Sequence, residues 1–208
     1  MASDKYFYAK YFSIKIFVIF VNMQAFNVDK DKTLNAALFI LNQLGEADYH
    51  KVFKILYFAE QQHLKNFGQP LTGDAYQAMP FGPVPSFLYD IFKAAENHQS
   101  PFSEAIELSK SFAVVRKDKI PYVSALVAAD TDQLSETNVE AILKSIKENH
   151  HLSFKEITDK SHDTAWAKAE KAVDTEMSYL DIAASAAASE EMLAYILLNA
   201  ENDNLNVY

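Results

Sequence analysis

The residue types that commonly do chemistry are sparse in this chain of 208 residues, which carries six histidines and no cysteine. Without cysteine, thiol nucleophiles, thiolate zinc sites and disulfide scaffolds are excluded. No GxSxG elbow, Walker loop, GxGxxG turn or HExxH helix occurs. His63 falls on one helical face with Val52, Leu56 and Ala59, and the inventory of ring nitrogens favours a core histidine satisfied by hydrogen bonds over a ligand or general base. His150 and His151 are neighbours whose side chains point apart, which suits a solvated helix end better than a metal pair. Ser161-His162-Asp163 holds three catalytic residue types side by side, but the members of a triad come from separate elements. Ser161 or Asp163 is better explained as the cap of the helix that follows. Trp166, the only tryptophan, reads as a core anchor or as an aromatic interface anchor. These residues imply no metal, no cofactor and no catalytic centre.

The sharper signal is a concentration of backbone-determining residues. All four glycines (Gly45, Gly68, Gly73, Gly82) and four of the six prolines (Pro70, Pro80, Pro83, Pro85) lie between positions 45 and 85. Glycine supplies φ > 0 and close approach, and proline fixes φ and removes a donor. Phe81-Gly82-Pro83-Val84-Pro85-Ser86 is therefore a rigid corner. Two readings stay open: a structural turn joining a small sheet to a helix, or a preorganised surface presenting Phe81, Gly82, Pro83 and Val84 to a partner. Pro83 and Pro85 lack the backbone donors that a phosphate-binding loop needs.

The elements that must position these residues follow from periodicity. Leu34, Ala37, Leu38 and Leu41 recur as one apolar helix face from about Asp31, with Gly45 as the stop. Asp48 caps a helix of about Tyr49 to Asn66 that is apolar almost all round, hence central and buried, and Gly68 ends it. Ala75 to Met79 suits a short strand, and Ser86 suits the cap of a helix of about Phe87 to Glu96. Pro101 marks a loop, and Ser111–Val115 and Ile120–Val127 suit a hairpin turning at Lys117-Asp118-Lys119. Ser135 caps a helix carrying Val139, Ile142, Leu143 and Ile146, and Ser153-Phe154-Lys155-Glu156 is a capping box. Helices of about Thr164–Ala172, Ile182–Ala188 and Ser189–Ala200 follow, with the last eight residues polar and frayed. The expectation is an α+β, predominantly helical single domain with a small antiparallel sheet.

Residues 1–22 differ in composition, being aromatic and β-branched, but their longest apolar run, Ile16 to Val21, is too short to span a bilayer. They read as an arm on the domain, as a membrane-touching tail, or as sequence upstream of a start at Met23, the last being favoured. Half of all residues are hydrophobic and 23% are charged, an ordinary globular composition; 19 Lys and Arg against 28 Asp and Glu give a net charge of −9. That balance opposes non-specific nucleic-acid binding and suits a partner with a basic surface. No membrane partner is expected, and a cytoplasmic setting is the natural reading of a cysteine-free chain.

The stretch KILYFAEQQHLKNFGQPLTGDAYQAMPFGPVPS, Lys54 to Ser86, resembles the Panacea domain, also described as the SocA-like or GepA-like phage-associated domain. Leu134-Ser135-Glu136 and the run from Leu152 through Asp163 to Trp166 resemble its second half, in the right order. Gln69 stands where arginine is common, and Phe81 where histidine or tyrosine often precedes Gly-Pro. The resemblance would divide the chain into an arm (1–22), a Panacea-like domain (23–175) and a C-terminal helical extension (176–208). It implies a mostly helical fold with a small sheet, and an antitoxin of a bacterial or phage toxin–antitoxin system rather than an enzyme. Such an antitoxin neutralises its cognate toxin, the product of an adjacent gene, by direct binding, and can deliver it to a cytoplasmic protease. The candidate partner-binding residues are Phe81, Gly82, Pro83, Val84, His63, His162, Asp163 and Trp166. Two other classes stay open: a DNA-contacting transcriptional regulator, opposed by the acidic charge, and a hydrolase using His63, or His162 with Asp163.

Overall fold

A computed structural model describes residues 26–97 and 99–205; the reading of residues 1–22, with its start at Met23, lies outside them. The fold is built around one helix, α2 (Tyr49–Phe67), preceded by α1 (Lys30–Leu44) and the three-residue strand β1 (Glu46–Asp48). Asp48 caps α2 by accepting the Lys51 backbone N–H, and Gly68 closes it in the left-handed conformation at φ 66°. Val52, Ile55, Leu56, Tyr57 and Ala59 are all completely buried, so the helix has core on both sides.

One side packs on α1, α3 (Ser86–Asn97), α5 (Glu136–Asn149) and a three-stranded sheet, enclosing Leu41, Phe53, Phe92, Phe112, Val123 and Ile142. That sheet has the order β1-β5-β4 and is antiparallel throughout, with β4 (Phe112–Lys117) and β5 (Ile120–Ala125) joined at Asp118-Lys119. Both turn residues have positive φ, as a tight hairpin whose twist matches its strands requires. The other side packs on β2 (Tyr76–Met79), α6 (Phe154–Ser161), α7 (Thr164–Ala169), α8 (Tyr179–Ser185) and α9 (Glu190–Leu205), enclosing Tyr57, Leu64, Tyr76, Ile157, Ile182 and Ile196. The architecture is predominantly helical α+β, as expected.

Several details depart from the sequence-based expectations. The rigid corner is itself a strand, β3 (Gly82–Pro85), paired antiparallel with β2 in the register Met79↔Gly82 and Gln77↔Val84. Pro83 and Pro85 alternate along β3, so their missing N–H groups fall on its unpaired side, the place where a strand tolerates proline. Ser86 does not cap α3: Asp74 does, its two carboxylate oxygens accepting the backbone N–H groups of Phe87 (2.8 Å) and Leu88 (3.0 Å). A short helix, α4 (Ser103–Ser109), follows the loop at Pro101 in a segment to which the sequence assigns no element, and α9 runs on to Leu205. Beyond position 175, α8 and α9 place Ile182, Ala183 and Ile196 in the second core. Among the described residues no helix is long and apolar enough to cross a membrane.

Candidate partner-binding site

The β2–β3 turn carries Phe81 at its tip, 62% exposed, and it is held from below by side chains. Trp166 Nε1 donates to the Met79 carbonyl (2.9 Å), His50 Nε2 to the Phe81 carbonyl (3.1 Å) and Lys54 Nζ to the Pro83 carbonyl (2.8 Å). Three alternate carbonyls are thus fastened by donors from α2 and α7. The His50 nitrogen also faces Thr158 Oγ1 (3.0 Å), whose hydroxyl donates to the Phe154 carbonyl, so both His50 partners accept and Nε2 carries the proton. Burial, followed by the charge of Lys54, pushes the His50 pKa down to about 4, so the ring is neutral near neutrality.

Lys54 is the least expected residue of the site. It is fully buried, makes no ion pair with any described carboxylate, and burial lowers its pKa to about 7. Gly82 lies directly over it: a Cβ there would stand 2.3 Å from Ser161 Oγ and 2.8 Å from Lys54 Cε. Since Gly82 also has φ +92°, both space and conformation demand glycine.

His162 and Trp166 stack face to face at 3.6 Å between centroids and 4° between planes. Burial, then Lys54, holds the His162 pKa below its ordinary value, and its Nε2 is buried without a hydrogen-bond partner. Asp163 caps α7 through Trp166 N (3.0 Å), while its other oxygen accepts from Tyr57 (2.7 Å) and Gln61 (2.8 Å). Ser161 donates to the Thr158 carbonyl. The adjacent Ser-His-Asp residues therefore face three different partners and form no triad.

Above the fastened turn lies a groove of about 600 Å³, lined mainly by Phe53, Met79, Phe81, Val84 and Tyr89 with Asp90 at its edge. Met79, Tyr89 and Phe154 are exposed beside Phe81, and Phe154 meets Phe81 edge-on at 5.5 Å and stacks on His50 at 4.2 Å. Clustered exposed apolar side chains around a concave, rigidly backed surface are the signature of a binding patch.

The predicted residues divide accordingly. Phe81, Gly82, Pro83 and Val84 form the turn and groove, and His162 and Trp166 brace the turn from behind. Asp163 starts α7 and ties it to α2. His63 lies apart from this group: it is 5% exposed, with Nδ1 donating to the Gln69 carbonyl (2.8 Å) and Nε2 accepting from Asn138 (3.0 Å) and facing Thr137 (3.1 Å). It is the satisfied core histidine that its helix face implied. His150 faces the Ile146 carbonyl at a helix end, and the described residues contain no group of three metal-ligating side chains. Sequence reasoning missed His50, Lys54, Met79, Tyr89 and Phe154. Lys54 did leave a trace, as a lysine inside the run Val52-Phe53-Lys54-Ile55-Leu56-Tyr57-Phe58 of a helix with no polar face.

Comparison with curated proteins and with solved structures yields no match. The model of one protein family matches residues 52–167, from the first turn of α2 to α7, more than half of the chain and nearly all of the site. That family is described as the SocA-like antitoxins with the Panacea domain, and the chain belongs to it.

Proposed function

We propose that this protein is an antitoxin that neutralises a cognate toxin by binding it directly, without catalysis, in the cytoplasm. Membership of an antitoxin family supports the role. The observation that supports the binding surface is the fastened β2–β3 turn, which holds Phe81 out beside a groove lined by Met79, Val84 and Tyr89. A turn already fixed by three side chains has little conformational entropy left to lose on association.

Co-expression with the product of an adjacent gene tests the reading. The neighbour alone arrests growth, this chain restores it, and the two co-purify. Phe81→Ala weakens the complex by about tenfold or more, as expected for a central aromatic anchor, while the exposed position leaves stability within about 0.5 kcal/mol. A harmless neighbour would remove the antitoxin role; rescue undiminished in the Phe81→Ala protein would move the surface elsewhere. Delivery of the toxin to a protease is a separable second step, read from whether the toxin's lifetime shortens when this chain is present.

A further inference from the structure

The groove contains one charged group with nothing to do. Asp90, half-buried on α3, lines the groove and the cavity that adjoins it, yet makes no hydrogen bond or ion pair with any described residue. The polar side chains that line the same groove and cavity from other elements are committed: Lys30 pairs with Glu104, Asn27 donates to Asp203, Asp74 caps α3 and Gln77 accepts from Thr175. Tyr49 donates to the Phe92 carbonyl, His50 is neutral and holds Phe81, and Lys54 is turned under the turn to Pro83 with no exposed surface. The charge of Asp90 is felt by buried Asp74, of the same sign, and raises its pKa further after burial. Phe53, Phe81 and Tyr89 line the same groove.

A half-buried carboxylate without a counter-ion among aromatic rings is a receptor for a cation with an apolar or planar body. Arginine fits both demands, because its guanidinium pairs bidentately with carboxylate, stacks on rings and is weakly hydrated. The net charge of −9 points the same way, to a partner with a basic surface. We infer that the groove receives an arginine side chain of the cognate toxin, its guanidinium on Asp90 and its stem against Phe81 and Tyr89. The inference rests on the antitoxin reading for the identity of the partner, but not for the chemistry of the groove.

The test therefore uses no toxin. The full-length, isotopically labelled chain is titrated by NMR at low salt with N-acetyl-arginine methylamide and with its neutral isostere, N-acetyl-citrulline methylamide. The expected result is saturable shifts confined to the groove, residues 49–54 and 77–90, with the arginine probe bound about tenfold tighter, the usual scale for a charge-assisted pair. Asp90→Asn abolishes that preference at an unchanged melting temperature, and Asp90→Glu retains it. Lowering the pH weakens arginine binding and leaves citrulline binding alone, because burial raises the Asp90 pKa and brings its neutralisation within reach. Equal binding of the two probes, shifts elsewhere on the surface, or a preference that survives Asp90→Asn would overturn the inference. None of those results bears on whether the chain rescues growth, so the two proposals fail separately.

Discussion

Gly82 and Lys54 show how two residues set the shape of this surface. Alanine at position 82 meets both a positive φ and a Cβ 2.3 Å from Ser161 Oγ, whereas at Gly45, also at positive φ, a Cβ meets nothing within 4 Å. Gly82→Ala is expected to cost about 2–4 kcal/mol and Gly45→Ala about 1 kcal/mol, since only the first adds overpacking to backbone strain. Urea denaturation of both variants checks the difference, and equal losses would show that the close approach at Gly82 relaxes freely. Lys54 makes a prediction in pH. Its pKa is depressed in the folded state from an ordinary value of 10.5 to about 7, so its contribution is present above 10.5 and is lost as pH falls towards 7. Lys54→Met deletes the ammonium but leaves the Pro83 carbonyl unpaired, at a cost of about 1–3 kcal/mol. The variant should be the less stable form near pH 10 and recover relative to the parent as pH falls to 7, by at most on the order of 3–4 kcal/mol. Parallel stability profiles of the two proteins over that range would show that Lys54 is not held neutral.

Among the elements, the β2–β3 hairpin depends most on others, because a two-stranded ribbon is marginal alone. Trp166 braces it from α7, so Trp166→Phe keeps a ring against His162 while removing the indole donor to the Met79 carbonyl. About 1 kcal/mol should be lost, and amide exchange should speed up in the hairpin while α5 keeps its protection. Protection lost evenly over the chain would mean that Trp166 supports the whole core and not the turn. This dependence also explains what the sequence did and did not disclose. Helices α1, α2 and α5 are legible because each carries its own apolar period, its own cap (Asp29, Asp48 and Ser135, the last two evident from sequence) and, for α1 and α2, its own glycine stop. Strand β1 is three residues long and owes its order to β5, while α4 has seven residues and no lasting period. The cap of α3 reaches it from Asp74, across the hairpin, where no local motif could announce it. The site was half legible for the same reason. Its glycine, prolines and exposed phenylalanine stand together in sequence, whereas of the residues that hold them His50 and Lys54 lie on α2 and Trp166, more than a hundred positions further on, lies on α7.

At the scale of the molecule, one buried helix serves two cores, and its ionisable residues sit where those cores meet the loops. Glu60 accepts from the backbone of Leu71 and Thr72 and is pushed up by burial from its ordinary range to about 7. Raised in the folded state, it contributes stability fully present below pH 4.5 and lost as pH rises through 7, the reverse of Lys54. Two groups inside α2, Lys54 and Glu60, therefore titrate near neutrality within the fold, while the chain as a whole carries a net charge of −9. Charge on the outside acts on encounter more than on the final contacts, because exposed charges beyond a Debye length are screened by salt and those seated in an apolar groove are not. If the antitoxin reading holds, association with a basic toxin should slow by about tenfold or more between low salt and roughly 0.5 M salt. Dissociation, governed by Phe81 and the groove, should change far less. Stopped-flow mixing at several ionic strengths separates the two rates. A salt-insensitive association rate would mean that the acidic surface takes no part in finding the partner, and a dissociation rate that carries the whole salt effect would place the ion pairs in the bound interface, where Asp90 is the group to examine.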